Sequence, residues 1–281
     1  MLFCGLESFK NKQFYIQMKK YIQLLAVLIL FASCSKYQKA LNSTDVALKF
    51  DQATKKYEAK KYYKAIRLFE QLAPSYKGKP QAEKMFYMFA NSYYNTKQFY
   101  LAAYQFESFA SSYPKSEKRE EASFLSAKCY SKLSPVSSLD QVDTYKALDK
   151  MQEFIDRYPD SQYMQEANAV VFDLKNKLEK KAFDIAKQYN TISDYKSAIA
   201  SFDNFLSDFP GTPLKEEALY YKLESCYNLA INSVFQKMEE RLSNAKTAYA
   251  NLVKFKADTK YKEKADQMLA RIDKDLQQFS K

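Results

Sequence analysis

The chain has 281 residues and a net charge of +11, with 44 Lys plus Arg against 33 Asp plus Glu. It contains no histidine, no tryptophan and three glycines. The commonest general base and the commonest transition-metal ligand are therefore missing. No P-loop, GxGxxG or GxSxG occurs, and the lysine excess is dispersed without the Arg-rich stripe that nucleic-acid binders show.

In chain order, residues 1–33 read as a secretion signal and fall outside fold reasoning. Lys19 and Lys20 supply the positive start, and 22–31 is an apolar run too short to span a bilayer comfortably. Ala32 and Ser33 are small residues ahead of Cys34. This resembles a bacterial lipoprotein signal, which implies that Cys34 becomes the lipid-bearing first residue. Phe31 stands where leucine is usual, and Met18 is a more natural start than Met1. Residues 34–45 then read as a short lipidated linker.

From residue 46 onward a helix pattern recurs. It runs Tyr62-Tyr63-x-Ala65-x3-Phe69-x2-Leu72, then Phe99-Tyr100-x-Ala102-x3-Phe106-x2-Phe109-x3-Tyr113-Pro114. It returns as Tyr145-x-Ala147-x3-Met151-x2-Phe154-x3-Tyr158-Pro159 and as Tyr195-x2-Ala198-x3-Phe202-x2-Phe205-x3-Phe209-Pro210. A fixed period of this kind predicts stacked helix pairs and a binding scaffold. The seven prolines are expected at helix ends.

The second repeat is the clearest, with helices predicted at 81–95 and 98–113. Ala90 and Ala102 allow close approach, and Phe86, Phe89, Tyr93, Phe106 and Phe109 fill the space beside them. These positions resemble the tetratricopeptide repeat (TPR). Shifting back 37 residues recovers Ala53, Tyr57, Tyr62, Ala65, Phe69 and Leu72; shifting forward recovers Ala127. In the first repeat Lys49, Gln52 and Lys56 replace the apolar outer positions, so it is expected to cap the array with nothing packed before it. The third repeat carries an insertion, Ser134-Pro135-Val136-Ser137-Ser138, open to two readings: a partner contact or a tolerated excursion.

A helix without a breaker is predicted over 162–188, a spine of roughly 40 Å joining two halves of the array. A helix at 194–209 follows with Asp194 as N-cap. Further helices are expected at 213–231 and 238–257, then a capping helix at 260–279. The fold expected is an all-α, TPR-like superhelical solenoid of about five pairs, with repeats 1–3 in 46–160 and repeats 4–5 plus the cap in 161–281.

Catalysis and metal binding find no support in the residues. Cys129 and Cys226 lack CxxC spacing and read as free buried thiols. Glu120-Glu121, Glu216-Glu217 and Glu239-Glu240 read as solvated helix faces. No enzyme activity, cofactor or metal is expected. The inner surface of such an array is lined by the first helix of each pair. There the exposed positions are expected to be Lys84, Tyr87, Asn91, Tyr94 and Asn95 in the second repeat and Phe50, Thr54 and Tyr57 in the first. Tyrosine offers apolar area with a polar tip and asparagine can bond an extended backbone, which suits a groove for short peptide segments. The competing reading is that these rings only pack.

The lipoprotein cysteine, five TPR-like pairs, the insertion and the spine together resemble the BamD family of the outer-membrane β-barrel assembly (BAM) machinery. The most specific stretches are Tyr158-Pro159-Asp160-Ser161-Gln162-Tyr163, Phe172-Asp173-Leu174-Lys175-Asn176-Lys177-Leu178 and Asp208-Phe209-Pro210-Gly211-Thr212. The resemblance covers residues 34–281. It implies a lipid-anchored protein on the periplasmic face of the outer membrane. It also implies N-terminal repeats that receive unfolded outer-membrane proteins and C-terminal repeats that bind the POTRA region of a BamA-like barrel protein. An arginine contact of the family's fourth repeat finds only Lys196 here. Two other classes share parts of the pattern. A periplasmic TPR adaptor for envelope division or cell-wall synthesis needs neither lipid nor spine. A SusD-like glycan-capture lipoprotein is longer and uses tryptophan platforms, which this chain lacks.

Overall fold

The computed structural model describes residues 36–279. The secretion signal, the start at Met18 and the lipid-bearing Cys34 lie outside the described residues. Among those described there are twelve α-helices, one terminal 3-10 turn and no strand. The chain divides into two compact units, Met1–Ser126 and Ala127–Lys281. Their boundary falls inside a helix, upstream of the 160/161 division drawn from sequence.

The first unit holds α1 (Lys36–Asn42), α2 (Val46–Glu58), α3 (Tyr62–Tyr76), α4 (Ala82–Asn95), α5 (Phe99–Ser112) and the start of α6 (Arg119–Leu133). Helices α2/α3 and α4/α5 are the first two pairs, and α3 also packs on α4. Ala53, Ala65, Ala90 and Ala102 are fully buried, so backbones meet where side chains are smallest. Phe69, Phe106 and Phe109 fill the adjacent space with 1% exposure or less. Each such ring contributes roughly 2–3 kcal/mol by leaving water.

The second unit holds the rest of α6, then α7 (Val142–Arg157), α8 (Met164–Thr191), α9 (Tyr195–Asp208), α10 (Lys215–Ile231), α11 (Phe235–Phe255) and α12 (Lys262–Leu276). The 28-residue α8 lies wholly within this unit and packs on α7, α9 and α10. One core joins Phe183 and Ala186 of α8 to Ala198, Phe202 and Phe205 of α9 and Ala218 of α10. A second joins Leu223 and Cys226 to Leu242, Ala245, Leu252, Ala265 and Ile272. Asp194 caps α9, accepting from the Ser197 amide at 3.3 Å. Cys129 and Cys226 are free and buried, and burial pushes their thiols up to about 12 and about 11.

Two local devices repeat. At three helix turns a non-glycine residue adopts the left-handed conformation: Lys60 (φ 56°), Lys97 (φ 60°) and Ser193 (φ 64°). Each closes a Schellman arrangement, with Lys61 N–H bonding Lys56 O at 2.8 Å, Gln98 N–H bonding Tyr93 O at 3.0 Å and Asp194 N–H bonding Tyr189 O at 3.0 Å. At the far ends of the pairs, hydroxyls in the turn before the next helix reach back one repeat. Ser116 donates to Glu83 at 2.6 Å, Thr212 to Glu179 at 2.5 Å and Thr259 to Glu216 at 2.7 Å. The same three oxygens accept from the backbone two residues on.

Three expectations change. The linker segment contains α1, which packs on α2 and α3 and buries Tyr37 and Ala40. The first repeat therefore does have a helix before it, and Gln52 is buried. The Lys56 ammonium sits 5.7 Å from the centre of the Tyr37 ring, so a polar position still serves packing through its cation. Pro74 lies inside α3, not at its end. It occupies the last turn, where its ring removes only the donor to the Glu70 carbonyl and little helix follows to be broken, and the Ser75 hydroxyl bonds the Leu72 carbonyl there.

Candidate functional site

The sequence-derived groove residues all fall in the first unit, on α2 and α4, which touch each other. Repeat register explains the juxtaposition. Phe50 and Tyr87, Thr54 and Asn91, and Tyr57 and Tyr94 are each 37 residues apart. Successive first helices therefore present them on one face.

These residues are less exposed than expected. Asn95 and Lys84 are exposed, whereas Phe50, Thr54, Tyr57, Tyr87, Asn91 and Tyr94 are half-buried. The cause is ring packing within each pair. Tyr87 stands edge-on to Phe106 and Phe109, at 6.1 and 5.6 Å between centroids. Tyr94 does the same against Phe99 and Phe106, at 6.0 and 6.4 Å. On α2, Phe50 stacks on Tyr76 at 5.2 Å and Tyr57 meets the edge of Tyr62 at 5.7 Å. Each ring is thus fixed on one side, which lowers the entropy cost of ordering it on binding, and stays half-buried.

Polar groups lie between the rings. The Asn95 amide donates to the Asn91 carbonyl and side-chain oxygen, at 2.8 and 2.5 Å. The Asn91 side-chain amide nitrogen remains as a donor. The Thr54 hydroxyl is buried without a hydrogen-bond partner. Burial, then Tyr62 and Glu121, raises the Tyr57 phenol, which stays neutral and able to donate.

Lys118, which the sequence reading does not name, and Glu121, read there only as part of a solvated helix face, border this face. Lys118 pairs with Glu121 at 2.8 Å, and its ammonium sits 5.6 Å from the centre of the Tyr87 ring. The signal was present in the repeat, because Glu121 is 37 residues after Lys84. The face therefore combines fixed rings, an amide pair and one charged lip. It can hold an extended chain by alternating apolar and backbone contacts, and it has no constellation for bond cleavage. Among the described residues no group of three or more Cys, Asp or Glu side chains could hold a metal ion.

The insertion in the second unit is an ordered structure. The buried Gln141 amide donates to the Val136 and Leu139 carbonyls at 2.9 and 2.8 Å. From α8, Lys177 bonds the Ser134 hydroxyl at 2.6 Å and Lys181 bonds the Leu139 carbonyl at 2.7 Å. Burial lowers the Lys177 ammonium. Held this way, the loop and the start of α7 expose Val136, Leu139, Val142 and Tyr145. Lys196 is exposed on α9.

No helix among the described residues is long and apolar enough to cross a membrane. No curated protein matches the chain. Among solved structures it is similar to one titled "Q17M crystal structure of Podosopora anserina putative kinesin light chain nearly identical TPR-like repeats". The match is 14% identical, with a TM-score of 0.30, over 72% of this chain and 93% of that one. A family model described as "YfiO: Outer membrane lipoprotein" matches residues 42–242, more than half of the chain. The protein therefore belongs to the YfiO family of outer membrane lipoproteins, the BamD family that its repeats resemble.

Proposed function

We propose that the chain is the lipoprotein scaffold of a β-barrel assembly complex, held at the periplasmic face of the outer membrane by lipid on Cys34. Its first unit receives unfolded outer-membrane proteins on the face of α2 and α4. Its second unit binds the POTRA region of a BamA-like barrel protein. The observation that carries this reading is the line of half-buried tyrosines with Asn91 between Tyr87 and Tyr94. Rings locked on one side offer apolar area at a lower ordering cost, and Asn91 can bond the backbone of a strand not yet paired. The exposed Val136, Leu139, Val142 and Tyr145 are an additional apolar surface suited to a folded partner.

The test is capture of unfolded outer-membrane polypeptides by the full protein. Tyr94→Ala combined with Asn91→Ala is expected to lower capture tenfold or more while leaving co-purification of the barrel protein intact. Unchanged capture refutes the face. Co-purification of a division complex or a sugar transporter in place of a barrel-assembly protein moves the chain to one of the other two classes.

A further inference from the structure

The edge of the first unit that carries the turns of its two helix pairs has an unusual composition. Residues 60–64 read Lys60-Lys61-Tyr62-Tyr63-Lys64, and the next turn carries Lys97 and Tyr100. A surface groove of ≈ 320 Å³ lined by Lys60, Lys61, Tyr62, Tyr63, Lys64, Asn95 and Thr96 shows that the two turns lie side by side. Tyr63 and Tyr100 stand at equivalent repeat positions and are 67% and 66% exposed, far more than a ring that packs within its pair. Glu58 is the one acidic residue in 55–64, against five lysines.

The same edge receives the beginning of the described chain. Tyr37 of α1 is 8% exposed, and the ammonium groups that sit over its ring, at 5.7 and 5.4 Å, belong to Lys56 and Lys64 on either side of the first turn. Cys34 precedes Tyr37 by three positions and the first helical residue, Lys36, by two. Two residues reach at most about 7 Å. A lipid on Cys34 therefore leaves almost no tether, and the edge beside Tyr37 must lie at the bilayer surface.

We propose that this edge is a membrane-docking surface for anionic phospholipid headgroups, with Lys60, Lys61, Lys64 and Lys97 facing the phosphates and Tyr63 and Tyr100 seated at the interface. Exposed aromatic rings interleaved with lysines match the composition of interfacial segments, and clustered lysines next to an anchor supply the second signal that a single anchor needs. The edge fixes the orientation of the first unit, so its client face is held at a set height above the leaflet. The inference rests on the reading of Cys34 as the lipid-bearing residue, and its test separates the two.

The lipid-free mature chain, residues 34–281 with Cys34→Ser, is mixed with vesicles of phosphatidylcholine alone or with 30% phosphatidylglycerol, and flotation is measured at low and high salt. Flotation is expected with the anionic vesicles only, and to fall with salt. Lys60→Gln, Lys61→Gln, Lys64→Gln and Lys97→Gln together are expected to lower the partition coefficient on the order of 10²-fold. The Tyr63→Ser, Tyr100→Ser pair, on exposed rings, should weaken it with an unchanged circular-dichroism melt. Equal flotation with both vesicle types, or flotation that survives the four lysine changes, overturns the proposal. So does full competition by soluble polyglutamate in the presence of anionic vesicles, which assigns the edge to an acidic polypeptide. Mass spectrometry of Cys34 in native envelopes decides the anchor separately: an unmodified thiol removes the pinning argument whatever the vesicles show.

Discussion

The two units use one helical grammar, and the second adds ion pairs between its helices to the ring packing that both share. In the first, helix pairs meet through rings: Phe50 on Tyr76, Phe69 on Phe89, Tyr87 on Phe109. In the second, rings meet as well, Phe183 on Phe202 and Tyr220 on Tyr261, and charged and hydroxyl side chains also latch helices that are distant in sequence. Lys187 reaches Glu217 at 3.1 Å, Lys246 reaches Asp273 at 2.7 Å, and Glu216 accepts from Thr259, Lys256 and the Lys260 amide. Aromatic packing tolerates partial exposure, because a ring can be fixed on one side and free on the other. Ion pairs and charged hydrogen bonds demand fixed geometry. Under the proposed function, the ring-lined first unit suits varied unfolded chains and the latched second unit suits one folded partner.

The comparison can be broken most severely in the cores. Phe106→Ala should cost about 3–5 kcal/mol, because Phe106 is fully buried and supports both Tyr87 and Tyr94. Chemical denaturation measures the loss, and client capture should fall with it. Phe202→Ala in the second unit should cost a similar amount, yet leave client capture by the folded protein unchanged. A capture defect from Phe202→Ala alone would show that the two units do not serve separate tasks.

The next largest effect concerns the Glu216 latch. Three donors hold its carboxyl down to about 2, with the Thr259 hydroxyl first and Lys256 second. Glu216→Gln should destabilise the protein by about 1–3 kcal/mol at neutral pH. Because the folded-state value lies below the ordinary 4.5, this stabilisation is complete above that pH and is lost as the pH falls toward about 2. The difference in Tm between wild type and Glu216→Gln should therefore narrow steadily across that window. A difference that stays constant down to pH 2.5 would show that the charge contributes nothing.

The smallest effects lie in the turns. Lys97→Gly and Ser193→Gly should each stabilise by roughly 0.5–1 kcal/mol, since glycine takes φ near +60° without the steric cost of a Cβ. Thermal melts of the single variants sharpen the comparison, because one site lies in each unit and the gain should be equal.

These turns also show why part of the fold was illegible in the sequence. The helix pairs are readable from Ala90, Ala102, Phe106 and their 37-residue echoes, since close packing demands those sizes at those places. The turn geometry is not, because Lys60, Lys97 and Ser193 occupy positions that glycine usually marks. Helix α1 escapes for a different reason: seven residues carry too little periodicity, and the buried ones are Tyr37 and Ala40. The position of the candidate face on α2 and α4 is legible from the register of Phe50, Tyr57, Tyr87 and Tyr94. Its half-burial is not, since the rings turn toward Phe99, Phe106 and Phe109, and spacing says nothing of side-chain direction. Glu121 could have been placed beside this face by carrying the shift from Lys84 one repeat further.

Site-specific photo-crosslinking tests the central claim most directly. A photoreactive residue is placed at Tyr94 or, as a control, at the exposed Ser111 of α5, in the full lipidated protein within growing cells. Adducts with outer-membrane polypeptides that have not yet folded are expected at position 94 and not at position 111. Equal yields at both positions, or adducts at 111 alone, would contradict the account.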